Sequence, residues 1–179
     1  MTRHIDVRQL VTIALMAVLI AACAWVTIPI GPVPFTLQTF GVFCALALLG
    51  GRNGTIAVAV YLAIGALGAP VFSGFSGGFA KLIGPTGGYL IGFLFAGLFY
   101  WAAVTLFGRG PVVQIAAMFV GNLVCYAFGT AWFMVVASSK PGLVTALGLC
   151  VFPYILPDLV KIVCAFLFAR LLKSRIRMS

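Results

Sequence analysis

The feature that most constrains the fold of this chain is a series of long apolar runs with almost no charge. The first run, residues 10–28, has 19 residues without a charged side chain, and a helix of that length, at about 1.5 Å per residue, nearly crosses a hydrocarbon core of roughly 30 Å. Of all 179 residues, 64% are hydrophobic and 7% are charged, whereas soluble domains have about a quarter charged. The sequence therefore predicts an all-α integral membrane protein, with residues 1–179 as a single polytopic domain.

Two shorter apolar runs follow a stretch that contains three prolines. They cover residues 35–49 and 55–67, and the sequence Gly-Gly-Arg-Asn-Gly separates them. Both are short for a full span, so they fit either two steep helices or the two arms of a re-entrant hairpin that protein shields from lipid.

The second half of the chain contains longer runs. Clear spans are predicted over residues 89–107 and 112–136. The last run, 143–172, is too long for one span and contains Pro153 and Pro157. It predicts a short outer helix, a break, and a span that begins near Pro157. The total is six transmembrane helices.

The positive charges predict how these segments are oriented. With the N-terminus inside, eight of the eleven Lys and Arg residues are cytoplasmic, only Lys81 and Lys140 are outside, and Lys161 lies within the last span. This excess of positive charge inside predicts that both termini are cytoplasmic and that the glycine-rich loop 68–88 faces outward. The cytoplasmic group comprises Arg3, Arg8, Arg52, Arg109, Arg170, Lys173, Arg175 and Arg177.

Composition excludes several classes of function. Asp6 and Asp158 are the only carboxylate side chains, too few for paired-carboxylate catalysis or for a carboxylate-rich metal site. The five cysteines show no CxxC spacing, and no phosphate-loop sequence occurs. The basic residues lie between and beyond apolar runs, which indicates membrane orientation rather than nucleic-acid binding. We therefore predict no enzymatic activity, no cofactor, no metal site and no ATP site.

The strongest candidate for a functional site is the pair Asp158 and Lys161. These charges lie three residues apart on one face of the last predicted span. Buried charges are costly, so the pair must be neutralised internally, lie near the interface, or meet a polar ligand. A ligand site is favoured, with a self-satisfied structural pair and an ion or proton relay as the alternatives.

The glycine-rich loop is the second candidate. Its sequence VFSGFSGGFAKLIGPTGGY, residues 71–89, interleaves glycine with aromatic residues. Such a loop can present backbone N–H groups and aromatic faces to a small molecule and fold over it as a lid, although a flexible connection is the plain alternative. The candidate binding residues in this segment are Ser73, Phe75, Lys81, Thr86 and Tyr89.

Polar residues elsewhere in the apolar segments are weaker candidates. The polar residues Thr36, Gln38 and Thr39 follow the prolines and Phe35 at the start of the second segment, and Asn122 and Tyr126 lie four residues apart in the fifth. A buried amide both donates and accepts hydrogen bonds, so Gln38 and Asn122 each fit a ligand contact or a contact between helices, and Tyr126 is open to the same two interpretations.

Small residues on the first span predict a close helix contact. Ala14, Ala17 and Ala21 lie on this span, the last two in Ala-x-x-x-Ala spacing, and Gly88 and Gly92 repeat the spacing in the fourth. The contact can be internal or with a partner chain, and the sequence favours neither.

Three motifs together resemble a known family. They are Val-Pro-Phe-Thr-Leu-Gln-Thr at 33–39, Gly-Pro-Thr-Gly-Gly-Tyr at 84–89, and Asp158-x-x-Lys161. They are similar to those of the biotin-specific substrate-binding subunits, or S components, of bacterial energy-coupling-factor (ECF) vitamin transporters. The resemblance covers nearly the whole chain.

The resemblance implies an outward-facing vitamin pocket under the first and third outer loops. It implies that Ala17 and Ala21 face a transmembrane coupling subunit, that two ATPase subunits are separate chains, and that the complex lies in the bacterial cytoplasmic membrane. Asp158 would accept the N–H groups of the biotin ureido ring, Lys161 would donate to its carbonyl or pair with Asp158, and Lys81 is the cation available for the biotin carboxylate. The pair is expected to be satisfied only when the ligand is bound.

Other functions remain open at this stage. Asp158 also fits the proton or sodium site of an ion-coupled secondary transporter, or a pair that only fastens helices together. An S component for another vitamin is a further alternative, and a homo-oligomer is possible.

Overall fold

The computed structural model describes residues 6–176, and these form seven α-helices and one short antiparallel hairpin. Arg3 and Arg177, which the charge count assigns to the cytoplasm, lie outside the described residues, as does the side chain of Arg175. The elements are α1 (Val7–Trp25), β1 (Thr27–Ile28), β2 (Phe35–Thr36), α2 (Gln38–Ala66), α3 (Phe79–Ile83), α4 (Gly87–Leu106), α5 (Pro111–Val136), α6 (Leu143–Cys150) and α7 (Phe152–Ile176).

Helix α2 folds back on itself at Gly50. This residue has a φ of 80° and a ψ of 171°, a backbone conformation that glycine adopts without steric cost. A β-carbon added to Gly54 would lie 2.6 Å from the Cα atom of Leu46, and the Gln38 amide donates to the Tyr61 hydroxyl at 2.7 Å. Residues 38–49 and 51–66 are therefore two antiparallel arms.

The double-back corrects one detail of the sequence prediction. The second arm begins directly after Gly50 rather than at Thr55, so no loop separates the two arms. At about 1.5 Å per residue the arms are roughly 18 and 24 Å long, shorter than a hydrocarbon core of roughly 30 Å.

Neighbouring segments pack in antiparallel order through close approaches at glycines. Arm 38–49 meets α1 where Gly41 contacts Ile20, and arm 51–66 meets α4 where Gly51 contacts Trp101. Helices α4 and α5 meet where Gly88 faces Trp132 and Gly92 faces Cys125. Gly88 and Gly92 therefore serve internal packing, which decides between the two roles left open for them.

Helix α7 closes the bundle against arm 38–49 and α5. The Lys161 ammonium donates to Thr36 O at 2.7 Å, and Lys173 donates to Ala47 O at 2.6 Å. These contacts show that α7 runs in the same direction as arm 38–49. Val7 and Ile176 consequently lie at the same end of the bundle as Gly50. We call this the Gly50 end, and the opposite end, with the β1–β2 hairpin and the segment 68–86, the loop end.

The start of α7 differs from the prediction. The short helix α6 and a break are present, but the break is at Val151 and α7 begins at Phe152, so Pro157 lies inside the helix. Pro153 occupies the second helical position, where its missing N–H would have had no partner in the helix. Pro157 removes one further bond near the helix start, and the helix continues through it.

Four of the helices are long and apolar enough to cross a membrane by length and composition: α1, α2, α4 and α5. Helix α7 is also long, with 25 residues, and its first 18 residues carry only the charges Asp158 and Lys161. Because α2 doubles back at Gly50, the number of long helices differs from the number of membrane segments that the sequence predicts.

The two long loops of the loop end have more structure than the sequence predicts. β1 and β2 pair around the prolines, with Thr27 opposite Thr36, and α3 lies within the glycine-rich segment. Phe72 anchors that segment, since its ring is fully buried, contacts the ring of Tyr61 edge-on at 5.5 Å, and occupies the space where Gly65 lacks a side chain.

The alanines of α1 are not all at the surface. Ala17 and Ala21 are 4% and 5% exposed and belong to the hydrophobic core, whereas Ala14 is exposed. The chain's own residues cover Ala17 and Ala21 in this conformation, and their contact with a partner chain stays a prediction. Ala14 remains a predicted contact.

Candidate functional site

A cavity opens at the loop end between arm 38–49, α4, α5 and α7. Its walls combine uncharged polar groups and apolar side chains with one carboxylate and one ammonium. The lining residues are Val33, Pro34, Thr36, Gln38, Thr39, Ser73, Thr86, Tyr89, Leu90, Phe93, Asn122, Cys125, Tyr126, Cys150, Tyr154, Asp158 and Lys161.

Asp158 is the central acceptor of this cavity. It is 4% exposed, and both of its carboxylate oxygens have partners. The Tyr126 hydroxyl donates to Oδ2 at 2.5 Å, and the Lys161 ammonium donates to Oδ1 at 2.7 Å. Within residues 6–176 this is the one ion pair. Its i, i+3 spacing on α7 places both groups on the same face of the helix.

Lys161 has two further partners. It donates to the carbonyl of Thr36 at 2.7 Å, and its ammonium lies 3.8 Å from the centroid of the Phe35 ring, a favourable cation–π distance. The hairpin strand β2 supplies both contacts, so the short sheet positions the lysine.

The pair is satisfied within the chain. In the part of the chain that the structure describes, every buried side-chain nitrogen and oxygen has a hydrogen-bond partner. The expectation that Asp158 and Lys161 are satisfied only by a bound ligand is therefore wrong. Since Tyr126 and Thr36 already supply a donor and an acceptor, a ligand must replace or supplement existing bonds.

Tyr154 connects the cavity wall to the first outer loop. Its hydroxyl donates to the carbonyls of Ile30 and Val33, at 3.0 and 2.5 Å, and its ring stacks on Phe35 with the centroids 6.2 Å apart. Because Tyr154 and Asp158 are one helical turn apart on α7, the helix that carries the charged pair also holds the loop above it.

Neutral hydrogen-bonded pairs complete the walls. Gln38 donates to the Tyr61 hydroxyl at 2.7 Å, and the Tyr89 hydroxyl lies 2.9 Å from the hydroxyl oxygen of Thr130. These partners fix the orientation of Gln38 and Tyr89 at the cavity surface.

Most of the predicted binding residues meet in this cavity. Phe35 is a neighbour of the cavity rather than part of its lining, since its ring lies against Lys161 and Tyr154. The predicted residues that line the cavity are Asp158, Lys161, Gln38, Thr36, Ser73, Thr86, Tyr89 and Asn122.

Two predicted residues lie outside the cavity. Phe75 is 64% exposed and stacks on Trp25 at 5.2 Å, and Lys81 lies on α3 and does not contribute to the lining. A short helix and the Phe72 anchor direct this part of the loop away from the cavity. The assignment of Lys81 to the biotin carboxylate is therefore not supported by its position.

Sequence reasoning left out several lining residues. Tyr126, four residues from Asn122 on α5, is only a weak candidate from the sequence, and Tyr154, four residues from Asp158 on α7, is not among the predicted binding residues. Val33, Pro34 and Thr39 belong to the motif at 33–39, whereas the apolar wall residues of the helices lack a signal because they resemble any core position. The remaining omitted residues are Val33, Pro34, Thr39, Leu90, Phe93, Cys125 and Cys150.

The chemistry of the cavity suits a small molecule with mixed polarity. A carboxylate accepts N–H groups, an ammonium donates to a carbonyl, and Leu90 and Phe93 provide apolar contact. No group of three or more potential metal-binding side chains occurs among the described residues.

Comparison with known proteins decides the family. Residues 1–178 match the BioY family. The chain belongs to the BioY family. The biotin transporter BioY of Thermotoga maritima is 37% identical, with 93% of this chain and 96% of that protein covered. The probable biotin transporter BioY of Pyrococcus horikoshii is 39% identical, with 93% and 97% covered.

A solved structure also matches this BioY-family chain. The crystal structure of the S component for biotin from an ECF-type ABC transporter has a TM-score of 0.85 and 30% sequence identity, and the match covers 97% of this chain and 95% of the other. The fold and the resemblance found in the sequence therefore agree.

Proposed function

We propose that this protein takes up biotin as the high-affinity substrate-binding subunit of an ECF-type transporter. The relatives and the solved structure are a biotin transporter, a probable biotin transporter and a biotin S component. The protein is an integral membrane transport component and not an enzyme. The observation that carries the proposal is the Asp158–Lys161 pair, which lies with Tyr126 in the cavity of a BioY-family fold.

Biotin binding would exchange partners at this pair. The ureido ring offers two N–H donors and a carbonyl acceptor, which complement the Asp158 carboxylate and the Lys161 ammonium. The bond from Lys161 to Thr36 O would be replaced by one to the ureido carbonyl. Leu90 and Phe93 would then contact the thioether ring and the aliphatic chain.

The distribution of charge supports six transmembrane segments with both termini in the cytoplasm. The six are α1, the two arms of α2, α4, α5 and α7. Arg109 and Lys173 lie at the Gly50 end, whereas Lys81 lies in the loop-end segment. By the positive-inside rule the Gly50 end faces the cytoplasm and the cavity faces outward.

The membrane setting and the partners follow from the same assignment. A transmembrane coupling subunit and two ATPase subunits would energise the release of biotin. Ala14 is the accessible alanine on α1 for a contact with the coupling subunit. The complex would lie in the bacterial cytoplasmic membrane. A homo-oligomer is compatible with this arrangement. We propose no nucleic-acid partner.

A biotin titration of the purified protein tests the proposal. Calorimetry should show saturable one-site binding, and Asp158→Asn should weaken it roughly 100-fold, because a hydrogen bond to a charged group contributes about 1.5–3 kcal/mol and the variant loses the charge. Asp6→Asn is the matched control, since Asp6 is the only other carboxylate side chain and lies at the exposed start of α1. This control should bind like the unmodified protein.

A second variant distinguishes a loss of biotin binding from a loss of folding. Asp158→Asn leaves the Lys161 ammonium without its anion, which can destabilise the fold. The double variant D158N/K161M removes both charges and should melt as a folded protein without binding biotin. Unchanged affinity in Asp158→Asn, or competition by thiamin or riboflavin instead of biotin, would contradict the assignment. Uptake into proteoliposomes driven by an ion gradient without any ATPase would favour a secondary transporter.

A further inference from the structure

A second cavity lies at the Gly50 end, on the opposite side of the molecule from the charged pair. It has about 210 Å³ of water-accessible volume and is bounded by arm 38–49, α5 and α7. Arg170, Lys173 and Gln114 line it together with an apolar surface. On α7 the two cations are three residues apart and so share a helix face.

No carboxylate balances these cations within the described chain. Asp158 is at the loop end and pairs with Lys161. Asp6 accepts from the backbone N–H of Arg8 at the start of α1. These are the only two carboxylate side chains in the sequence, and neither forms an ion pair with Arg170 or Lys173 among the described residues, so the cations of this cavity are free to bind an external anion.

Part of the positive charge at this cavity caps the C-terminal end of arm 38–49. Lys173 donates to Ala47 O at 2.6 Å, where the arm 38–49 ends, and the Arg109 guanidinium lies about 3.5 Å from where a β-carbon on Gly50 would be. A helix C-terminus carries only about half a negative charge. Two cations already exceed that charge, and the side chain of Arg170 makes no hydrogen bond among the described residues.

The opposite wall is also suited to an anion. Helix α5 begins at Pro111, which lines the cavity, and the first backbone N–H groups of a helix favour negative ligands. Gln114 holds this helix start in place, because its amide donates to Arg109 O at 2.8 Å and accepts from the Tyr100 hydroxyl at 3.0 Å.

We propose that this cavity binds a phosphate group, with Arg170 and Lys173 as its charged ligands. Ala47, Phe166 and Ala169 form an apolar floor beside the cations, so the geometry suits the headgroup of an anionic phospholipid whose glycerol and acyl carbons lie against that floor. Free inorganic phosphate has the same charged chemistry without the apolar part. Neither the site nor its test depends on biotin.

The test uses the full chain, delipidated and reconstituted in nanodiscs of phosphatidylcholine with or without phosphatidylglycerol. Native mass spectrometry counts retained phosphatidylglycerol, and thermal melting measures stabilisation. A separate arm adds inorganic phosphate to phosphatidylcholine nanodiscs. Arg170→Gln is the principal variant, because the Arg170 side chain has no hydrogen bond to lose among the described residues. Arg52→Gln and Lys140→Gln are the matched controls, since neither residue lines the cavity.

We expect phosphatidylglycerol to be retained and to raise the melting temperature. Arg170→Gln should weaken retention about fivefold, and R170Q/K173Q about 25-fold, since each basic residue near an anionic surface contributes about 1 kcal/mol. Both controls should retain lipid like the unmodified chain.

Other outcomes are equally informative. Stabilisation by inorganic phosphate alone, lost in Arg170→Gln, would support the phosphate site and assign free phosphate as its occupant. Equal retention of both lipids with no response to phosphate would overturn the proposal. Equal losses of phosphatidylglycerol retention in Arg170→Gln and Arg52→Gln would overturn the proposal too. The attraction for the lipid would then be spread over the basic residues of the whole Gly50 end.

Discussion

The hydroxyl of Tyr126 fixes the orientation of the carboxylate in the charged pair. It donates to Asp158 Oδ2, while Lys161 occupies the other oxygen. With both oxygens held, the carboxylate has a fixed direction in the cavity. A ligand N–H group therefore meets an acceptor whose orientation is set before binding, which lowers the cost of ordering it.

Tyr126→Phe should weaken biotin binding roughly tenfold, since it removes one hydrogen bond to a charged acceptor, about 1.4 kcal/mol. The measurement is calorimetric titration in detergent. Tyr100→Phe is the control, because the Tyr100 hydroxyl bonds to Gln114 at the Gly50 end. It should cost some stability and leave the affinity unchanged. Equal affinities in Tyr126→Phe and the unmodified protein would show that Asp158 needs no orienting donor.

Among the elements, the turn within α2 depends most directly on one residue type. Gly50 has a φ of 80°, and a side chain there would strain the backbone by about 1–3 kcal/mol. The Arg109 guanidinium also lies close to the position of an added β-carbon.

Gly50→Ala should therefore lower the melting temperature by several degrees, while the chain remains all-helical. The matched control is Gly148→Ala in α6, where nothing lies within 4 Å of an added β-carbon and φ is not positive. Alanine there should be neutral or slightly stabilising, because it favours helix by about 1 kcal/mol. Similar melting temperatures for the two variants would mean that the turn tolerates a side chain.

Phe72 anchors the glycine-rich segment in the core, whereas Phe75 makes only a surface contact. Phe72 is fully buried, whereas Phe75 is 64% exposed and stacks on Trp25. Both are phenylalanines three residues apart, so they form a natural pair for comparing an anchor with a surface contact.

Phe72→Ala should cost about 3–5 kcal/mol of unfolding free energy, as for other buried phenylalanines, and should weaken biotin binding because Ser73 follows the anchor into the cavity wall. Phe75→Ala should change stability by less than about 1 kcal/mol and alter the emission of Trp25. Chemical denaturation and tryptophan fluorescence measure both effects. A larger loss of stability in Phe75→Ala would reverse the roles assigned to the two rings.

For the whole molecule, the main consequence is that the two cavities lie at opposite ends. One contains a balanced ion pair and the other contains unbalanced cations. If the Gly50 end is cytoplasmic, then the ligand cavity opens to the exterior and the phosphate site meets the inner leaflet.

Labelling of intact cells tests this orientation. Lys140→Cys should react with a membrane-impermeant maleimide, whereas Arg109→Cys should react only after lysis, because the two positions lie at opposite ends of the bundle. The unmodified chain is the control for its own cysteines, of which Cys164 alone is exposed within the described residues. Labelling of Arg109→Cys but not Lys140→Cys in intact cells would invert the proposed topology.

The helical segments of the fold can be predicted from the composition of the chain and from the positions of glycine and proline. Apolar runs separated by glycine and proline identify the helices, and the i, i+3 spacing of Asp158 and Lys161 identifies the pair at the cavity. These signals are local, so they are visible in a linear sequence.

What the sequence could not predict depends on contacts between distant segments. The internal partners of the pair, Tyr126 and Thr36, lie on other elements, and Pro157 lies inside α7 because the helix begins earlier, at Phe152. The burial of Ala17 likewise depends on the core that surrounds α1. The spacing of Tyr126 from Asn122 is a local pattern, but it does not show which distant segment the hydroxyl contacts.

The turn at Gly50 also bears on how the protein enters its membrane. An arm of about 18 Å cannot cross a core of roughly 30 Å as an independent helix, so arm 38–49 has no stable transmembrane state until its partner has been synthesised. We therefore expect the two arms to be inserted as one unit, with Arg52 on the side from which the chain entered. During biogenesis, the insertion machinery therefore has to hold about 29 residues before it can release them to lipid.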